Sequence, residues 1–111
     1  MPKRELQRRV TPQVSGGRVD TNTADQFGES LIRAVDNVRA RRSFKLVVDL
    51  SQITFMSSSG LRELNRAQKH ANARGGRIIL DMVCENISDK LKLTGFDEVL
   101  PQKRPARANR R

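Results

Sequence analysis

Residues 44–73 read FKLVVDLSQITFMSSSGLRELNRAQKHANA, and the fold turns on how this stretch is read. Leu46, Val47, Val48 and Leu50 make a short apolar, β-branched run between polar residues, the pattern of a strand covered on both faces. A central strand from Phe44 to Leu50 is therefore expected. Ile53, Phe55 and Met56 lead into Ser57, Ser58, Ser59 and Gly60, after which Leu61, Leu64, Ala67 and Ala71 recur at helical spacing. The serines thus sit at the start of a helix predicted over Ser58–Ala73. Backbone N–H groups without partners and a partial positive charge gather at such a start, so it suits a hydroxyl cap or an added phosphate.

Downstream, Arg74-Gly75-Gly76 supplies a left-handed stop, and Arg77 to Val83 reads as a second buried strand through Ile78, Ile79 and Leu80. Strand, helix and strand then form a right-handed parallel crossover, which puts the serine turn at the C-terminal side of the sheet. A third helix over Asn86–Thr94, with Ile87, Leu91 and Leu93 inward, should stop near Gly95, and Phe96, Val99 and Leu100 should close the core.

Upstream, Ala24, Phe27, Leu31, Ala34, Val35 and Val38 form one apolar stripe, and Thr23 with Gln26 matches a capping box, so a helix is predicted over Thr23–Ala40. Gly28 inside it implies a close contact with the sheet. Arg39, Arg41, Arg42 and Lys45 crowd the turn that follows, as cations at a helix C-terminus should. Val10–Val19, with Pro12 and the pair Gly16-Gly17, leaves room for at most one short edge strand.

A chain of 111 residues with 36% hydrophobic content allows one domain. Of the formal net charge of +10, residues 1–9 carry +3 and residues 101–111 carry +5, leaving +2 for 10–100. Charge-rich ends without aromatics read as disordered, so a flexible basic arm (1–9), a folded domain (10–100) and a disordered basic tail (101–111) are expected, with the tail dispensable for folding. No run of about 18 apolar residues exists, and no apolar segment follows the basic N-terminus, so neither membrane insertion nor secretion is expected and the location is read as cytoplasmic. Cys84 has no partner for a disulfide or metal pair and reads as a packed, inert thiol; His70 reads as a surface residue. No P-loop, metal cluster or nucleophile with its base is present in the pattern, so no cofactor and no enzymatic activity are expected.

Several of these segments together resemble the STAS domain family, known for bacterial anti-sigma factor antagonists. The resemblance rests on Gly17-Arg18-Val19-Asp20 followed by Thr23-Ala24, on LVVDLSQITFMSSSGL, on the glycine pair before IIL and on LKLTGFDEVL, over residues 14–100. It implies an α/β fold with a small, mainly parallel sheet and helices mostly on one face. In the family, the serine directly after an aspartate in an Asp-Ser-Ser-Gly or Asp-Ser-Thr-Gly turn is phosphorylated by a partner kinase that is also an anti-sigma factor. That serine corresponds to Ser58, its neighbour to Ser59, and the aspartate's place is held by Ser57. The resemblance also implies that Ser57, Ser58, Ser59, Gly60, Asp20, Thr21 and Asn22 form the switch turn and partner surface.

The expected function is that of an anti-sigma factor antagonist that binds an anti-sigma factor serine kinase and is switched off by phosphorylation, so regulating sigma-factor-dependent transcription. Weak homo-oligomerisation is the other association considered. The alternative is a STAS docking or scaffold subunit of a signalling or transporter complex, which the serine at position 57 favours. Arg-rich ends could neutralise nucleic-acid phosphates, but no aromatic interleaving or base-reading motif accompanies them, so sequence-specific nucleic-acid binding is not expected.

Overall fold

The computed structural model describes residues 5–39 and 43–106. In chain order these form β1 (Leu6–Val10), β2 (Arg18–Val19), α1 (Ala24–Asp36), β3 (Phe44–Asp49), β4 (Phe55–Met56), α2 (Ser58–Ala73), β5 (Gly76–Asp81) and α3 (Glu85–Thr94). The central strand is β3, with β1 and β5 parallel to it on either side. A second parallel pair, β2 with β4, sets Arg18 beside Phe55 and Val19 beside Met56. This is the α/β architecture expected from the sequence.

Period-two alternation along β3 sends Phe44, Leu46 and Val48 into one core with Phe27, Leu31 and Val35 of α1 and Leu61, Leu64, Ala67 and Ala71 of α2. Leu46, Leu61, Leu64, Ile78, Leu80, Ile87 and Leu91 are fully buried there, and each such side chain contributes about 1.5–3 kcal/mol relative to an exposed one. Val47, on the opposite face, is buried as well. No helix is needed to explain this, because the side chains flanking it are long and ion-paired. Arg77 reaches Glu5 at 2.7 Å, while Arg9 reaches Asp49 at 2.7 Å and Asp81 at 2.8 Å. Aliphatic stems beneath these pairs cover the apolar strip while the charged heads stay near water.

Two expectations fail at the ends of the chain. Residues 6–9 are not a flexible arm, because Leu6–Val10 pairs along its whole length with Phe44–Val48 and places Arg9 within the ion-pair lattice. Residues 101–106 are not a disordered tail. Leu80 N–H donates to Pro101 O at 2.8 Å, Lys103 N–H to Leu80 O at 2.7 Å, and Ala106 N–H to Val83 O at 2.8 Å. The segment thus runs parallel beside β5. Arg107, Arg110 and Arg111, with Arg41 and Arg42 of the turn cluster, lie outside the described residues.

Further corrections are local. The α1 helix stops at Asp36, with Asn37 as its C-cap, instead of reaching Ala40. The Thr23/Gln26 capping box does not form, since the Thr23 hydroxyl is engaged in the preceding loop. Gly28 makes room for the Glu63 side chain of α2, not for the sheet. Leu93 is 86% exposed and Val99 47% exposed, so neither enters the core that Leu91 and Leu100 join. Leu93 falls two residues after Leu91, a spacing that a helix sends to another face.

The outer edge of β5 has a second cover. Gln68, buried on α2, accepts from Ile78 N–H at 2.7 Å and donates to Ile78 O at 3.0 Å and to Val99 O at 2.7 Å. A side-chain amide thereby completes the bonding of a strand residue that would otherwise be left short of partners in a dry interior.

Candidate functional site

The β2–β4 pair carries the serine turn, and its register determines what lies beside that turn. Because Val19 is opposite Met56 in parallel strands, the residues that follow them, Asp20 and Ser57, emerge at the same end. Ser57 N–H donates to Val19 O at 2.8 Å and fastens the turn to β2. From sequence, Ile53, Phe55 and Met56 are expected to lead from β3 into the serines without a strand of their own. Instead the chain turns at Leu50–Thr54 and Phe55–Met56 pairs as β4, so the turn rests on this separate pair.

Ser57 is the N-cap of α2, in extended conformation, with its hydroxyl accepting from Gly60 N–H at 3.3 Å. Its carbonyl accepts from Leu61 N–H at 3.0 Å. Ser58 is the first helical residue and is exposed, while Ser59 is half-buried. Gly60 is buried against the strands: a Cβ there would lie 2.5 Å from Met56 Cγ and 2.7 Å from Val19 Cγ1. Only glycine lets the helix start descend this far onto β2 and β4. No acidic residue occupies the first turn of α2.

The Asp20–Asn22 loop stands next to this turn and holds itself. Asp20 Oδ1 accepts from Asn22 N–H at 3.0 Å, and the Thr23 hydroxyl accepts from Asp20 N–H at 2.9 Å and donates to Arg18 O at 2.8 Å. Thr21 and Asn22 are exposed and Asp20 is half-buried. The structure therefore brings all seven sequence-nominated positions to one end of the β2–β4 pair.

Two cations missed by the sequence reading flank the same end. Arg18 stacks over the Phe55 ring at 4.1 Å from its centroid, and the Lys90 ammonium lies 4.7 Å from it. Lys90 Nζ also donates to Met56 O at 2.8 Å, which fixes a positive charge on the residue before Ser57. Lys90 comes from α3, 32 positions after Ser58 in the chain, so no local pattern would have shown it.

A family model for the STAS domain matches residues 7–108. The chain belongs to the STAS domain family. Among solved structures it is similar to an anti-sigma-factor antagonist (STAS) domain protein from Planctomyces limnophilus, with a TM-score of 0.73 and 21% identity. That likeness covers 89% of this chain and 82% of the other, and it is a likeness of fold.

The two other residues weighed for chemistry have local duties in this STAS domain. His70 Nε2 meets Asp36 Oδ1 at 2.7 Å on the surface between α2 and α1, and this hydrogen bond is the main influence holding the Asp36 carboxyl below its usual range. Cys84 stands at the N-cap position of α3 as a free, half-buried thiol that makes no capping hydrogen bond. Among the described residues no helix is long and apolar enough to cross a membrane.

Proposed function

We propose that this STAS domain is a non-enzymatic anti-sigma factor antagonist of the cytoplasm that binds an anti-sigma factor serine kinase through the serine turn and the Asp20–Asn22 loop. Phosphorylation of Ser58 releases it. The observation that carries this reading is the separation of labour within the turn. Ser57 holds the cap and Gly60 the packing, leaving Ser58 exposed on a rigid base.

A phosphate on Ser58 adds about −1.5 to −2 charge. It would meet the positive end of α2, with Lys90 close beneath, so the fold tolerates it. A partner packed on the turn would instead face a bulky hydrated dianion, and binding is lost without unfolding. The transcriptional consequence follows if the kinase, once bound, gives up its sigma factor.

The decisive experiment combines mass spectrometry of residues 57–59 from native cells with capture of the kinase by variants. Phosphate on Ser58, capture by Ser58→Ala and weakened capture by Ser58→Asp support the switch. An unmodified turn, with both variants capturing partners as the wild type does, favours the docking-scaffold reading. The absence of an acidic residue at the start of α2 is the observation on that side.

A further inference from the structure

We infer that the outer edge of β1 and the groove beside it form a second docking surface, which takes an extended partner segment bearing an acidic and an aliphatic side chain two residues apart. The two edges of the sheet differ. That of β5 is covered by residues 101–106 and Gln68, whereas among the described residues β1 bonds through its backbone to β3 alone. An open strand edge is a template for an added strand.

Beside this edge, between β1 and α1, lies a groove of about 400 Å³. Val10, Ala34, Val38 and Leu46 supply its apolar wall and Arg8 and Arg33 its charge, and no carboxylate lines it. Arg9 points the other way and is neutralised by Asp49 and Asp81, but neither Arg8 nor Arg33 has an ion-pair partner among the described residues. The charge of the groove is thus uncompensated on the side where an added strand would direct alternate side chains. Spacing of two residues lets one carboxylate meet the arginines while an aliphatic neighbour rests on Val10 and Val38.

A second copy of this chain is the poorer occupant. Antiparallel pairing of β1 with itself would set the arginines of one LQRRV strand against those of the other, and like charges in opposed strands destabilise a ladder. The surface shares no residue with the serine turn, so it stands or falls independently of the proposed switch.

The test uses the full chain and a labelled heptapeptide of threonines carrying one glutamate and one valine two residues apart, in both orders, followed by amide chemical-shift mapping. Shifts confined to residues 6–10 and the groove are expected. Binding should be lost when alternate peptide amides are N-methylated, and weakened about tenfold or more in the double variant Arg8→Glu/Arg33→Glu. Ser58→Asp should bind the peptide as the wild type does. The inference is overturned if neither peptide shifts these amides at millimolar concentration, or if a lysine-for-glutamate peptide binds equally well. It is also overturned if sedimentation shows a dimer whose protected amides include 6–10, because a second copy then covers the edge.

Discussion

Arg104 holds the buried carboxylate of Asp81 with two hydrogen bonds, Nε to Oδ1 at 3.1 Å and an Nη to Oδ2 at 2.8 Å. Arg9 reaches the same Oδ2 at 2.8 Å from β1, on the far side of β3 and on the same face of the sheet. Asp81 sits at the end of β5 with no exposed surface, so its charge depends on these two guanidinium groups and on the Met82 N–H, which donates to Oδ1 at 3.0 Å. Through this one residue the first strand and the C-terminal segment are tied to the same point.

Removing the segment should therefore destabilise the domain, contrary to the expectation from sequence. Deletion of residues 102–111 takes away Arg104 and the backbone bonds to Leu80, Met82 and Val83. Thermal denaturation should show a midpoint several degrees lower. Arg104→Ala alone should also lower the midpoint, by less than the deletion, because it leaves the buried Asp81 carboxylate with one guanidinium fewer. An unchanged midpoint in both would mean that these contacts add nothing to stability.

Acid sensitivity follows from the same carboxylate. Arg104 first, and Arg9 with it, hold the Asp81 carboxyl far below the usual carboxylate range against the opposing effect of burial. A depressed folded pKa means that the stabilisation is fully present above the unfolded value of about 4 and is lost as pH falls below it. Stability measured in denaturant should be flat between about pH 5 and 7 and should decline toward pH 3. Asp81→Asn should lower stability at pH 7 and flatten that decline. An identical acid slope in the variant would show that other groups control it.

Glycines 28 and 60 should answer alanine substitution differently. At Gly60 the added methyl meets Met56 and Val19, both buried and unable to move aside, so a cost of about 1–3 kcal/mol is expected. At Gly28 the obstacle is the Glu63 side chain, which can swing toward solvent at the expense of its surface pair with Arg66, while the helix gains about 1 kcal/mol of propensity. Urea titration should find Gly28→Ala near neutral. Equal losses at the two positions would contradict this account.

How far the sequence could be read depends on where each element's partners lie. The α2 boundaries were legible because the signals are local: a serine cap, apolar residues at helical spacing and Gly75 with its positive φ. The strand β1 was not legible, because LQRRV puts two arginines at its centre. Arg9 is at home there only through Asp49 and Asp81, 40 and 72 positions away. PQKRPA at 101–106 misleads in the same way, since prolines and charges suggest a tail, although a strand edge needs only some of the backbone donors that proline lacks. Within the candidate site the serine motif was readable and its setting was not. That Asp20 stands beside Ser57 depends on the register of two-residue strands, and the place of Lys90 depends on how α3 packs.

Ser57 and Ser58 should differ in what they contribute to stability. Ser57 carries the cap, so Ser57→Ala should cost about 1 kcal/mol, whereas Ser57→Asp keeps an acceptor there and adds a negative charge at the positive end of α2. Ser57→Asp should match or exceed the wild type. Ser58 is exposed and makes no side-chain hydrogen bond among the described residues, so Ser58→Ala should change stability by no more than about 0.5 kcal/mol. Paired urea titrations of the three variants check this directly. If Ser58→Ala proved as costly as Ser57→Ala, the Ser58 hydroxyl would have a structural duty, and altered partner binding could no longer be assigned to the surface alone. With the costs divided as the geometry divides them, a change in binding at Ser58 reports on the interface, because the helix start beneath it is held by Ser57 and Gly60.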